Sequence, residues 1–150
     1  MKHLCLFLFL ATASLSAFAQ FPLGSNEKEI RAYFDKNIPY AQAVDFTTKR
    51  GVNAVCFNKV KVIGDYTFYF DEDGNCSYYV ITYDVAELHD VIKRLDGEYC
   101  VVKETSWEAE DNTFDITLVM PKGAANYFSV IYFKPVPSGQ TSPLSILASN

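Results

Sequence analysis

The chain of 150 residues carries 13 basic and 18 acidic side chains, a net charge of −5, and 49% of it is apolar. An acidic chain without a basic cluster is unsuited to phosphate backbones or anionic bilayers, which excludes nucleic-acid binding. The length suits one compact domain with a real core.

Met1-Lys2-His3 is a short basic start, an apolar run covers 4–10, and Ala17-Phe18-Ala19 sets small residues at the outer positions of a cleavage site. The pattern predicts a secretory signal peptide over 1–19, cut before Gln20, and a mature protein exported to the periplasm or the extracellular space. The apolar run is shorter than the roughly 20 residues that cross a bilayer, so no membrane span is expected. Cys5 lies inside that run, too early to carry a lipid after cleavage. His3, Cys5 and Lys2 leave with the leader.

A helix is predicted over 25–38. Asn26 and Glu29 have capping-box spacing, Ile30, Tyr33, Phe34 and Ile38 form an apolar stripe, and Pro39 ends it. Strands over 42–48 and 52–57 flank Lys49-Arg50-Gly51. Strands over 65–71 and 76–83 flank Glu72-Asp73-Gly74, a three-residue hairpin loop with Gly in the left-handed position. Pairing Phe70 with Cys76, Phe68 with Tyr78 and Tyr66 with Val80 puts those six residues on a helix-covered face. The opposite face then holds Thr67, Tyr69, Ser77, Tyr79, Ile81 and Tyr83.

A second helix is predicted over 84–95. Asp84 caps it, Glu87 stands three residues on, and Val85, Leu88, Ile92 and Leu95 form its stripe; Lys93 and Arg94 suit its last turn and Gly97 its end. Strands follow over 98–103, 105–109, 113–120 and 126–134, with turns at Asp111-Asn112 and Lys122-Gly123. Phe114, Ile116, Leu118 and Met120 alternate with Thr113, Asp115, Thr117 and Val119, as in a half-buried strand. The fold class is α+β: two degenerate helix-then-antiparallel-strand units, about 25–83 and 84–134, forming one domain over 20–134 with helices on one face of the sheet. A Pro/Ser-rich tail occupies 135–150.

The chemistry is mostly negative. His89 is the one histidine left after cleavage, and it sits beside the apolar stripe of its helix, as a surface residue does. Cys56, Cys76 and Cys100 make an odd count, with no C-x-x-C pair. If the 76–83 strand and the strand that follows the second helix are neighbours, Cys76 and Cys100 come within bridging distance and Cys56 is a buried thiol; the other readings are three buried thiols and a different pairing. The Asp71-Glu72-Asp73-Gly74-Asn75 segment lacks the register of a calcium loop and reads as a turn. Glu104, Glu108, Glu110 and Asp111 read as a solvated strand edge. No phosphate-binding loop or nucleophile elbow occurs. No catalytic residue, metal or cofactor is therefore expected.

Aromatic strand residues stand out. Tyr69, Tyr79 and Tyr83 share the second face, and Trp107, Tyr127 and Phe133 extend it. Tyr and Trp suit interfaces because they join apolar area to a polar tip. The expectation is an exported, non-enzymatic module binding a protein or peptide through Tyr69, Tyr79, Tyr83 and Trp107, set against the plainer reading that the tail or the other half of the molecule buries this face. The alternatives are a small secreted hydrolase using His89 or the acidic residues, and a structural envelope component.

The tandem helix-then-strands order over about 25–134 resembles small exported PepSY-like and beta-lactamase-inhibitory-protein-like domains. The helix over 84–95, then Glu98-Tyr99-Cys100-Val101-Val102 and Trp107, is also similar to small exported proteins of Gram-negative bacteria. The resemblance is one of pattern. It implies a sheet whose open face binds or inhibits a partner protein, and it brings no functional residue with it.

Overall fold

The structure, a computed structural model, describes residues 22–58, 64–123 and 125–135. The leader over 1–19 and the tail beyond Pro135 lie outside the described residues. Helix α1 spans Glu27–Asn37, with the Asn26 side chain accepting from the Glu29 backbone and the Glu29 carboxylate accepting from the Asn26 N–H. This reciprocal pair satisfies two amide donors that the first turn would leave open. Four strands follow: β1 (Gln42–Thr47), β2 (Asn53–Asn58), β3 (Asp65–Phe70) and β4 (Cys76–Asp84). A single 3-10 turn at Val85–Glu87 leads into α2 (Leu88–Glu98), then β5 (Cys100–Lys103), β6 (Ser106–Glu108), β7 (Asp115–Val119) and β8 (Tyr127–Phe133).

All eight strands form one antiparallel sheet in the order β1-β2-β3-β4-β8-β7-β6-β5. The order is symmetric about the β4–β8 pairing, each of these being the last strand of a helix-plus-four-strand run. Ile30 and Phe34 of α1 and Val91 and Leu95 of α2 belong to one buried cluster with Phe68, Tyr79, Tyr83, Ile116, Phe128 and Val130. Both helices therefore pack on the same face. Phe34 stacks on Phe57 with ring centroids 3.9 Å apart, and Tyr79 on Tyr132 at 4.6 Å.

The β3–β4 hairpin starts in the expected register. Asp71 Oδ1 accepts from the amides of Asp73 and Asn75, Gly74 takes a φ of 78°, and Phe70 faces Cys76. One step further the register changes, because Tyr69 faces Tyr78 and Ser77 has no partner. Ser77 is a bulge residue, and its hydroxyl donates to the Tyr69 carbonyl at 3.1 Å. An extra residue in one strand sends every later side chain to the other face. Tyr79, Ile81 and Tyr83 consequently turn under the helices, and Tyr78 and Val80 turn away from them. The predicted pairings of Phe68 with Tyr78 and Tyr66 with Val80 are corrected to Phe68 with Tyr79 and Tyr66 with Ile81.

The second helix also departs from expectation at its ends. Asp84 caps the 3-10 turn and not the α-helix, accepting from the Ala86 amide at 2.8 Å, and α2 begins at Leu88 without a side-chain cap. Gly97, however, lies inside α2 and not beyond it, and Val85 is exposed, so the buried stripe is Val91 and Leu95 with Leu88, Ile92 and Tyr99 partly covered. The helix is displaced and not lengthened, with 11 residues over Leu88–Glu98 where 84–95 was expected.

At the start of β3, Gly64 has a φ of 90°, and a Cβ there would sit 1.9 Å from the Thr82 carbonyl oxygen. Only glycine fits that approach.

Candidate functional site

The site is built from the rows of residues that run across the strands. On the helix-covered face one row reads Asp45, Val55, Phe68, Tyr79, Tyr132, Ile116, Trp107, Val101. Its neighbour on the second face, displaced by one residue on every strand, reads Phe46, Ala54, Tyr69, Tyr78, Phe133, Asp115, Glu108, Cys100. A parallel row on that second face runs Val44, Cys56, Thr67, Val80, Ile131, Thr117, Ser106, Lys103.

The four expected binding residues are not one surface. Tyr79, Tyr83 and Trp107 are 3%, 2% and 1% exposed and belong to the core beneath the helices. The Trp107 indole N–H donates to Asp96 Oδ1 at 2.8 Å, and Arg94 donates to the Tyr83 hydroxyl at 2.9 Å, so each polar tip is anchored to α2. Burial pushes the phenols of Tyr79, Tyr83 and Tyr132 upward, as expected for rings whose anionic form has lost its water. Tyr69 alone lies on the second face, half-buried. The physical reason is the Ser77 bulge, which exchanged the faces of β4 and took Tyr79 and Tyr83 away from Tyr69.

The second face has an aromatic end. Phe46 meets Tyr69 edge-on at 6.2 Å, and Tyr69 stacks on Tyr78 at 4.4 Å with planes 11° apart. Tyr78, Val80, Ile131 and Phe133 form their own buried cluster. Toward β1 the surface opens, with Val44 48% and Phe46 40% exposed. All six residues of β1 are exposed, and the strand pairs with β2 through six consecutive residues without a bulge. A flat edge of this kind presents unpaired backbone groups to an added strand. The opposite edge, β5, is interrupted by a register shift between Val101 and Lys103.

Across the sheet the same row becomes acidic. Glu108 faces Asp115 on adjacent strands, and the Asp115 carboxyl is raised from its ordinary value first by burial and then by Glu108. Glu104, Glu110 and Asp111 are exposed, and Asp111 Oδ1 accepts from the Thr113 amide and hydroxyl in its own turn. His89 is exposed on α2, a helix that packs on the other face of the sheet from Glu108 and Asp115. The histidine and the carboxylate pair thus share no site. Among the described residues no group of three or more His, Cys, Asp or Glu side chains is placed to hold a metal ion, and no helix is long and apolar enough to cross a membrane.

Among the described residues the cysteines are free and lie on different strands. Cys76 starts the central strand β4 on the helix-covered face, and Cys100 starts the edge strand β5 on the second face. The bridge between Cys76 and Cys100 is therefore corrected. The second helix does return the chain to the Cys76 end of the sheet, but four strands away. A separation of about 19 Å lies far outside the roughly 4.4–6.8 Å that a disulfide allows. Three buried thiols are corrected too, since Cys100 is exposed and Cys56 half-buried. Burial raises the Cys76 thiol to about 12 and also pushes Cys56 up, which makes both poor nucleophiles.

Sequence reasoning missed Phe46, Tyr78, Val80 and Ile131. The available signal was the run Tyr78-Tyr79-Val80-Ile81, apolar at both odd and even positions. Such a strand is buried on both faces and its parity carries no facing information.

A scan against protein-family profiles finds no match, and searches of curated proteins and of solved structures find none either.

Proposed function

We propose that the chain is an exported, non-enzymatic module that binds an extended segment of a protein or peptide along the second face of its sheet, at the β1 edge. The observation that carries this reading is the graded row on that face, with exposed Phe46 and half-buried Tyr69 at one end and Glu108 beside Asp115 at the other. Aromatic rings supply large contact area at little entropic cost, and paired carboxylates favour a cation. The matching ligand carries an apolar or aromatic anchor on one side of a basic residue. Export rests on the 1–19 leader pattern. Two successive helix-plus-four-strand runs in one sheet support reading the halves as degenerate copies and support the resemblance to PepSY-like and beta-lactamase-inhibitory-protein-like domains.

Selection of a random displayed-peptide library on the mature chain tests the reading. The expected outcome is enrichment of extended sequences with an apolar anchor and a nearby Lys or Arg. Phe46→Ser and Tyr69→Ser should abolish their binding, and Glu108→Gln should weaken it and flatten its salt dependence. Selected peptides that bind equally to all three variants would overturn it. The exposed β1 edge also favours a structural component that assembles through that strand. Size-exclusion chromatography separates the two: an obligate oligomer dispersed by Val44→Lys favours assembly over ligand binding.

A further inference from the structure

Edge strands are ordinarily blunted by a bulge, a proline, a lysine or sheer shortness, because their open backbone groups invite further pairing. The two edges of this sheet differ in that respect. β5 is four residues long, is interrupted by a register shift between Val101 and Lys103, and carries that lysine. β1 is six residues long, pairs without a shift, and holds neither proline nor lysine. Its one charged side chain, Asp45, is bonded to Arg31 of α1.

The direction of the open groups follows from the turn that joins β1 to β2. The Thr48 amide donates to the Val52 carbonyl at 2.9 Å, and this pair continues the register in which Thr47 faces Asn53. Bonded and non-bonded pairs alternate in an antiparallel ladder. Gln42, Val44 and Phe46 therefore bond to β2, while Ala43, Asp45 and Thr47 turn their amides and carbonyls away from it. Among the described residues these three have no further backbone partner.

We propose that this edge pairs with the same edge of a second copy of the chain, antiparallel about a twofold axis at Asp45. In that register Ala43 faces the partner's Thr47 and Asp45 faces the partner's Asp45, so each outward residue exchanges bonds with the copy. On the second face Val44 and Phe46, 48% and 40% exposed in the single chain, meet the partner's Phe46 and the partner's Val44, aromatic against β-branched. Two carboxylates opposite one another would repel, but each brings the Arg31 guanidinium that already holds it, and the cluster is neutral. The strand is thus its own complement in hydrogen bonds, apolar pairs and charge, as an isologous interface requires. One strand of about 20 Å buries less than the roughly 1,200 Å2 of a standard interface. The dimer is therefore reversible, and not the obligate assembly that would displace the ligand reading. It lies in the plane of the sheet, leaves the second face open and sets two Phe46–Tyr69 ends side by side. The pairing goes beyond the peptide-binding reading and does not depend on it.

Sedimentation equilibrium of the mature chain 20–150 tests the pairing. A concentration-dependent monomer–dimer equilibrium is expected. Ala43→Pro removes an outward N–H and no bond to β2, so it should leave monomer with the far-UV signal of the sheet retained. Arg31→Gln should weaken the dimer several-fold by baring the two carboxylates, and adding Asp45→Asn should restore it. Cross-linking by air oxidation in a Cys100→Ser background reads the register. Asp45→Cys sets its copies about 5.5 Å apart between Cα atoms, within disulfide range, whereas copies of Val44→Cys are diagonal neighbours at about 7–8 Å, beyond it. A linked dimer from Asp45→Cys and none from Val44→Cys is the expected result. A mature chain that stays monomeric at millimolar concentration, a dimer that Ala43→Pro leaves intact, or a cross-link through Val44→Cys alone would overturn the proposal. If Ala43→Pro does not fold, the Arg31 variants and the cross-link decide.

Discussion

The two faces of this sheet differ by one residue on every strand, yet they differ in chemistry. The helix-covered row passes through Val55, Phe68, Tyr79, Tyr132, Ile116 and Trp107, all buried, with an exposed residue at each edge, Asp45 and Val101. The second row passes from Phe46 through Tyr69 and Tyr78 to Asp115 and Glu108, so it changes from aromatic to acidic across the molecule. A uniform apolar row is what two amphipathic helices bury. A graded row is what a ligand with two kinds of group recognises. Aromatic content alone does not separate the two faces; the change of chemistry along the row does.

The sharpest way to break this comparison is to cut into the covered row. Tyr79→Ser removes a ring stacked on Tyr132 within the core and should cost about 3–5 kcal/mol, read as a lower urea midpoint. If Tyr79→Ser costs no more than Phe46→Ser, the two faces have been assigned the wrong way round.

Alkaline unfolding is the next test of the covered row. Tyr79, Tyr83 and Tyr132 have phenols raised above 10.0 by burial, and Tyr99 is raised to about 12. The unfolded chain releases these protons first, so the folded chain holds more protons between those values. Stability is therefore fully present below pH 10 and is lost as pH rises from about 10 toward 12 and beyond. Tyrosinate absorbance of the core rings should appear together with the loss of far-UV signal. Titration of all the tyrosines near pH 10 in a folded protein would contradict the placement of these three in the core.

A smaller effect sharpens the role of the bulge. Deleting Ser77 makes Phe70–Cys76 and Tyr69–Tyr78 consecutive pairs and leaves every later residue on its present face. The deletion should cost about 1–2 kcal/mol, mainly the hydroxyl bond to Tyr69 and the local twist. Deleting Thr82, beyond the bulge, would move Tyr83 to the wrong face and should cost markedly more in the same urea titration. Smallest of all is Phe46→Ser on the second face. It should change stability by about 0.5 kcal/mol or less while removing peptide binding.

Local signals were legible wherever a few neighbouring residues decide the outcome. The Asn26–Glu29 capping box and the Gly74 turn form as their spacing requires, and Asp84 caps a 3-10 turn ahead of the second helix. The strands lie where alternation placed them, with boundaries moved by a residue or two. Gly97 was misread because glycine after an apolar stripe resembles a helix end, whereas α2 starts only at Leu88 and runs on through Gly97 to Glu98. The Cys76–Cys100 idea was sound along the strand axis and failed across it, since lateral strand order is absent from local pattern. Of the expected site, only Tyr69 survives on the second face. The others were lost to one unpaired serine.

The sequence by itself determined the helix caps, the turns, the strand segments and the α+β class, because each depends on residues a few positions apart. Which side of the sheet each tyrosine occupies was decided only in three dimensions. A strand that is apolar at every position folds equally well in either parity until a bulge, two helices and a neighbouring strand select one. That selection placed Tyr79, Tyr83 and Trp107 in the core and left Phe46, Tyr69 and Tyr78 to form the face that we propose meets a ligand.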